Sequence, residues 1–465
     1  MSSTNTVPIE SATTRSGPRT ASGWDAIKEH IPFAFAVWFV HLVVTQFIAF
    51  ISYKFGEFRS VAFGDTTWTF LMEDYGPDSR AYSSSLPPLE SLSGWQHWIV
   101  EPFRHWDGTW YMLIADRGYG GGFSATPAFF PLYPWMMDWG SRITGLPVET
   151  VGWLISRLAF LGALVMISLL VTHDFNISVA RWSMIALAVF PTSFFFGAVY
   201  TESLFLFLSV ATLWAARKND WLLAVILCFL AVLTRSAGIM LGIPMAVLFI
   251  QQHGKDLKAW FPKVLLGFIP PLGILVFGLH LRGQGLDFFD WQAQQWQWNR
   301  FSANPVQTLM CAVQGCEAEV RAIGGGTYEA TVHPVSFEWV KLAFENNFRW
   351  SYLSSSEFRY LVGQSQVTDL LITIVAFALI IVGLKKLPLY YSAWTIVPFI
   401  VPLLAPSSVF PLMSMPRFVL PMVPLFVVAV MLIYPRKRLA ITLAAISTAL
   451  LMLYTSQFAL WYWVA

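Results

Sequence analysis

Hydrophobic and polar positions in this chain come in long blocks, not in the short alternations of a soluble fold. Apolar runs lie near 31–53, 151–171, 179–197, 199–216, 221–234, 237–251, 264–281, 369–384, 387–404, 417–434 and 439–461. A helix that crosses a bilayer needs about 20 mainly apolar residues, because lipid cannot satisfy exposed backbone groups. The blocks therefore predict an all-α polytopic membrane protein, a bundle of about eleven transmembrane helices. Two long segments interrupt the blocks, 54–150 and 282–368, and loops of that length are usually functional. Residues 1–30 read as a polar, Ser/Thr-rich disordered tail, and 31–465 as one transmembrane domain.

Composition agrees with this reading. Of 465 residues, 56% are hydrophobic and only 12% charged, whereas soluble domains carry about a quarter charged. A water-soluble globule is excluded, as is a disordered chain. The 39 Phe, 22 Trp and 15 Tyr include the two residue types that favour membrane interfaces. A formal net charge of +2 excludes a nucleic-acid partner, which would need a basic face.

Basic residues set the orientation. Arg217 and Lys218, then Lys255, Lys258 and Lys263, then Lys385 and Lys386, then Arg436, Lys437 and Arg438 follow alternate runs. Lys and Arg stay on the cytoplasmic side, so an N-terminus inside places all four clusters in the cytoplasm. Segments 54–150 and 282–368 then lie outside, and the chain is expected in the plasma membrane. In the first of these, Glu57, Asp65, Glu73, Asp74, Asp78, Glu90, Glu101, Asp107, Asp116, Asp138 and Glu149 outnumber the basic residues. In the second, Cys311 and Cys316 would form a disulfide in an oxidising compartment, or remain two thiols. Cys228 falls in a span, where packing explains it. No zinc-type cysteine spacing and no phosphate-cradling Gly-Lys-Ser/Thr loop occurs, so no cofactor is indicated, although a divalent metal is not excluded.

Candidate chemistry gathers at the outer ends of the runs. In His105-Trp106-Asp107-Gly108-Thr109-Trp110-Tyr111, Asp107 precedes a short helical run that stops at Gly118, a common C-terminal residue. Two readings of Asp107 compete. It caps the helix, accepting from Thr109 or Trp110, or it is a general base walled by Trp106, Trp110 and Tyr111. Asp116 falls about half a helical turn out of phase, so the two carboxylates do not share a site. The prolines of Ala128-Phe129-Phe130-Pro131-Leu132-Tyr133-Pro134 turn the chain, and this apolar piece either lines a cavity or anchors at the interface. Glu202, in Tyr200-Thr201-Glu202-Ser203, either caps the next helix or faces a polar cavity, the reading preferred here. Arg235, in Thr234-Arg235-Ser236, and Arg417, in Met415-Pro416-Arg417-Phe418, sit on the outer side against the inside bias. Their planar forks suit phosphate or carboxylate, and Glu202 is one candidate partner of Arg235. Gln295, Trp298 and Arg300 combine ring and amide groups that suit a sugar; an interfacial helix explains the Trp equally well.

These motifs, in this order between residues 105 and 426, resemble the PIG-V family within the GT-C superfamily of polytopic glycosyltransferases. The resemblance rests on Trp106-Asp107-Gly108 with Tyr111, Gly118-Tyr119, Ala128 to Pro134, Phe190-Pro191, Tyr200-x-Glu202-Ser203, Thr234-Arg235-Ser236 and Arg417 to Phe426. It implies transfer of mannose from a polyprenyl-phosphate carrier outside the cytoplasm, with Asp107 at the position of the catalytic acidic residue of the first outer loop. Residues 282–368 match only loosely.

The reaction expected from this is an inverting single displacement. Asp107 takes the acceptor proton, and Arg235 and Arg417 stabilise the leaving phosphate. Trp106, Trp110, Tyr111, Tyr200, Glu202, Ser203, Ser236, Gln295, Trp298 and Arg300 would form the donor and acceptor pocket. The partners would be a lipid-linked mannose, a glycan, glycolipid or glycoprotein acceptor, and the bilayer. A flippase for a lipid-linked sugar is the main rival, although its charges should cluster near the bilayer midplane. A related enzyme using another sugar is the other alternative.

Overall fold

The computed structural model describes residues 23–56, 91–120, 125–254, 260–261, 263–321, 326–353, 355, 358, 362 and 366–464. Its helices of eight or more residues are α1 (Gly23–Phe55), α2 (Asp107–Arg117), α3 (Leu132–Thr144), α4 (Val148–Asp174), α5 (Ile177–Ala188), α6 (Glu202–Arg217), α7 (Trp221–Thr234), α8 (Gly242–His253), α9 (Leu272–Gly283), α10 (Pro305–Gln314), α11 (Glu338–Glu345), α12 (Val367–Lys386), α13 (Leu389–Leu404), α14 (Val423–Ile433) and α15 (Lys437–Ala459). The all-helical expectation holds, with one addition. Strands β1 (Cys316–Arg321) and β2 (Thr327–Val332) pair antiparallel in the second long segment. Cys311 and Cys316 are joined in a disulfide that ties α10 to this hairpin.

Every expected apolar run carries helix, but not every run carries a long one. Among the described residues, five helices are long and apolar enough to cross a membrane: Lys28–Phe55, Val148–Asp174, Ser236–His253, Val367–Lys386 and Lys437–Ala459. Ile177–Ala188, Trp221–Thr234, Leu272–Gly283, Leu389–Leu404 and Val423–Ile433 are apolar but shorter. Proline accounts for much of the difference. Pro191 follows the end of α5, and Pro421 and Pro424 separate α14 from the short helix Met415–Phe418. The first helix begins at Gly23, so residues 23–30 belong to it and not to the tail. Hydropathy does not register a helical turn that stays polar. Residues 1–22 and 57–90, with Glu57, Asp65, Glu73, Asp74, Asp78 and Glu90, lie outside the described residues.

Helix α4 packs along α6 through the bundle centre, with α1, α5 and α7 around them. The core is aromatic: Phe160, Phe194, Phe195, Phe196 and Phe458 are fully buried. Phe160 stacks on Phe196 at 4.5 Å between centroids.

The two ends of the bundle differ in chemistry. At one end Arg217 Nε donates to Asp174 Oδ1 (2.8 Å), and Tyr390 donates to the same carboxylate. Gln252 Nε2 donates to the Ala216 carbonyl (2.9 Å), and Lys263 Nζ meets His253 Nε2 (2.9 Å). Lys385 and Lys386 end α12 just before Tyr390, and Tyr434, two residues before Arg436, packs on Trp182. Members of all four basic clusters thus share one end; Lys255 and Lys258 lie outside the described residues. At the other end stand Asp107, Glu202 and Arg235, at the start of α2, the start of α6 and the end of α7. The 15 steps along α6 from Glu202 to Arg217 separate them by about 22 Å at 1.5 Å per residue.

Candidate functional site

Four charged side chains meet at this second end. Arg417 Nη1 lies 2.5 Å from Asp107 Oδ2, and its Nε donates to Glu202 Oε1. Arg235 Nη1 donates to the same Glu202 oxygen at 2.5 Å and reaches Thr201 Oγ1 at 3.4 Å. The order Asp107–Arg417–Glu202–Arg235 alternates in sign and sums to zero. Glu202 is 2% exposed, and its partners hold a charge that burial alone would not tolerate. The Arg417 guanidinium also lies 4.9 Å from the Tyr200 ring centre and 5.5 Å from that of Phe195.

Local backbone explains how Asp107 reaches this position. Trp106, ahead of α2, has φ of 55°, and Asp107 is the first residue of the helix itself. No side chain caps this helix, so the capping reading of Asp107 gives way to the ion pair with Arg417. The Asp107 N–H donates to Tyr200 Oη (3.0 Å), which donates to the His105 carbonyl (3.1 Å). A Cβ at Gly108 would sit 3.3 Å from the Val199 carbonyl oxygen, so only a residue without one lets α2 approach the 199–200 loop freely. Ahead of the turn, Arg104 is clamped by Glu101 (2.7 Å) and Glu149 (3.3 Å). Ser414, before Arg417, has φ of 67°, another non-glycine residue in the left-handed region. Such backbone costs about 1–3 kcal/mol per residue and collects at functional sites.

Outside the spans, burial shapes the titration of the neighbours. It pushes the Tyr111 hydroxyl up to about 12, with Arg235 opposing the shift, and lowers His105 to about 3. Tyr111 Oη is 3.1 Å from Thr201 Oγ1, and His105 Nδ1 is 2.9 Å from the Phe458 carbonyl. The imidazole therefore stays neutral and donates its N–H to that carbonyl.

The chain of charges borders a cavity of about 400 Å³. Asp107, Arg235 and Arg417 line it, and so do Tyr111, Ser236, Gln295, Trp298 and Arg300. Ala128, Phe129 and Phe130 line it as well, as the cavity reading of the proline-rich turn has it. Arg300 Nη1 donates to the Ala405 carbonyl (2.6 Å), and Ser407 Oγ to the Trp298 carbonyl (2.7 Å), which brings the second long segment against the 405–407 turn.

Five expected pocket residues do not line the cavity. Trp106 is turned away by its positive φ and packs on Trp461 and Trp463. Trp110, one turn along α2, stacks on Phe129. Tyr200 and Glu202 lie behind the wall, holding Asp107 and the two arginines. Glu202 is therefore neither a cap nor a cavity-facing carboxylate; the ion pair with Arg235 stands. Ser203 Oγ donates to the Phe196 carbonyl (2.7 Å), a local bond that fixes the turn. Asp116 is exposed and separate from the site. Trp394, Met413, Ser414 and Trp463 line the cavity without having been anticipated. Only the aromatic density of the last residues hinted at Trp463. Among the described residues no three His, Cys, Asp or Glu side chains cluster as a metal site would require.

Comparison with known proteins agrees with the resemblance read from the motifs. Residues 75–259 match the family described as mannosyltransferase (PIG-V). GPI mannosyltransferase 2 of Drosophila pseudoobscura pseudoobscura is 28% identical over 211 residues, 40% of this chain and 43% of that protein. The chain thus matches less than half the length of that relative. The crystal structure of ArnT from Cupriavidus metallidurans bound to undecaprenyl phosphate superposes with a TM-score of 0.36 at 13% identity, covering 94% of this chain and 78% of that one. Asp107, Glu202 and Arg235 fall within the stretch 75–259 that matches the PIG-V family.

Proposed function

We propose that this protein is a mannosyltransferase that moves mannose from a polyprenyl-phosphate carrier to an acceptor hydroxyl outside the cytoplasm. The observation that carries the reading is the chain Asp107–Arg417–Glu202–Arg235, whose aspartate and two arginines line a largely apolar cavity with Glu202 behind them. The PIG-V match supports the sugar and the class of reaction.

The chemistry follows from charge. The acceptor oxygen attacks the anomeric carbon from the face opposite the phosphate, and the bond to the phosphate oxygen breaks with its electron pair. Asp107 receives the acceptor proton. Once protonated it holds Arg417 less firmly, which releases that guanidinium's charge toward the departing phosphate. Arg235 completes the clamp, and Glu202 keeps both forks aimed. Without donor the four groups are neutral; after proton transfer they carry one net positive charge, matched to the extra negative charge of the leaving phosphate. Phe129, Phe205, Met240 and Phe418 give the cavity the apolar surface that a prenyl chain requires.

The placement of the site is part of the proposal. The basic clusters lie at the opposite end of α6, which suits an extracytoplasmic site in a plasma-membrane protein. A disulfide in the second long segment fits the same side. The test is transfer from radiolabelled polyprenyl-phosphate mannose by purified protein in detergent, where a flippase makes no product. Asp107→Asn should lower turnover about a hundred- to ten-thousandfold while the protein stays folded. Near-normal turnover by that variant would remove Asp107 from the mechanism.

A further inference from the structure

A second groove lies at the basic end of the bundle, opposite Asp107. It encloses about 140 Å³ between α5, α14 and α15. Helix α14 packs on both of the others and forms the floor through Ala429 and Val430. The walls repeat at i, i+3, i+4 and i+7, from Trp182 to Val189 on one side and from Ala440 to Ser447 on the other. That spacing is one helix face, so the groove runs along the helices for about 10 Å. The Ser447 hydroxyl donates to the Val189 carbonyl (2.7 Å) and closes the deep end. At the mouth Tyr434 packs on Trp182, with 5.6 Å between ring centres, as aromatic residues do at a membrane interface. Tyr434 and Leu443 are exposed, so the groove opens outward to lipid.

The groove face of α15 continues one turn back to Arg436 and Lys437; the Ala440 N–H bonds the Arg436 carbonyl at 3.0 Å. Both side chains are exposed and make no ion pair among the described residues. Helical side chains lean toward the helix N-terminus, and long cationic ones extend to the headgroup region. Two carboxylates of this end are engaged elsewhere: Asp174 holds Arg217, and Asp220 caps α7. The inside bias of basic residues explains cations at this end. It does not explain an apolar slot kept open by alanine at 186, 429, 440 and 444 directly beneath them. A zwitterionic lipid would satisfy the slot alone, whereas an anionic one satisfies both halves.

We infer that this groove binds an anionic phospholipid of the adjoining leaflet, with one acyl chain along α5, α14 and α15 and the phosphate facing Arg436 and Lys437. The inference goes beyond the transferase reading and does not depend on it.

Native mass spectrometry of the purified full chain, titrated with dioleoyl phosphatidylglycerol or dioleoyl phosphatidylethanolamine, tests it. The wild type should bind the anionic lipid about tenfold or more tightly than the zwitterionic one. Arg436→Gln with Lys437→Gln should weaken the anionic lipid about thirtyfold, at about fivefold per cation. Ala444→Phe fills the slot at unchanged charge and should weaken it about tenfold. Equal binding of the two lipids by the wild type overturns the site, and that comparison stands even if a variant fails to fold. Full-strength binding of phosphatidylglycerol by Ala444→Phe also overturns it, because diffuse attraction to the basic surface would then suffice. Tighter binding of undecaprenyl phosphate that Ala444→Phe removes would give the groove to a carrier lipid. A dimer mass lost in that variant would give it to a second copy, and either result overturns the phospholipid. Mannose transfer enters none of these measurements, so their failure leaves the transferase reading untouched.

Discussion

Arg417 reaches Asp107 across 310 positions of sequence, with Nη1 2.5 Å from Oδ2. The same guanidinium binds Glu202, which also takes Arg235. The two arginines are therefore not equivalent. Arg417 is the middle member, 8% exposed, while Arg235 is terminal and 20% exposed. Arg417→Ala strands Asp107, leaves Glu202 only Arg235, and should cost about 3–5 kcal/mol of stability, as breaking a buried pair does. Arg235→Ala leaves Glu202 one partner and should lower the melting temperature less, while raising the donor KM about tenfold. Thermal unfolding of both variants in one detergent checks the order; equal losses would contradict it.

Tyr200 acts on Asp107 through the backbone. Its hydroxyl accepts the Asp107 N–H and donates to the His105 carbonyl. Tyr200→Phe keeps the ring against Arg417 and orphans both groups, at about 1–3 kcal/mol for each buried group left unpaired. The expected result is a lower kcat with an unchanged donor KM. A shifted donor KM with normal kcat would place Tyr200 in donor binding instead.

The disulfide makes a separate prediction. Closing the short loop between Cys311 and Cys316 stabilises this segment by about 2 kcal/mol on the chain-entropy account. Reduction, or Cys311→Ala with Cys316→Ala, should raise protease sensitivity around 316–332 first. Turnover should fall modestly, because Trp298 and Arg300 reach the cavity from the same segment.

His105 supplies a pH dependence with a definite sign. Burial lowers its folded-state value to about 3, against 6.5 for the free side chain. The unfolded chain therefore binds the extra proton between those two values. The contribution is fully present above about pH 6.5 and is lost as pH falls toward 3. Melting temperatures at pH 7 and pH 4.5 should differ more for the wild type than for His105→Gln. Equal differences would mean the imidazole is not held neutral.

Much of the active end could be read from residue types. A carboxylate ahead of a short helix and two arginines on the side that disfavours them are costly placements, and they converge in space. Gly118 ends α2 as its position foretold, with its N–H on the Ile114 carbonyl. The expected pocket residues that turn away from the cavity do so for separate reasons. Side-chain direction at Trp106 depends on a positive φ that an aromatic residue does not announce. Glu202 reads as polar and outward until two guanidinia from distant helices are in place. Trp394, Ser414 and Trp463 reach the cavity through long-range packing, which leaves no local periodicity to detect.

The cavity wall runs from Asp107 to Trp463, and Phe458 seats both His105 and Tyr200. A nascent chain entering the bilayer from its N-terminal side holds its acid and first arginine long before the last helix arrives. The cavity wall is therefore complete only once α15 and Trp463 have packed against the turn that carries Asp107.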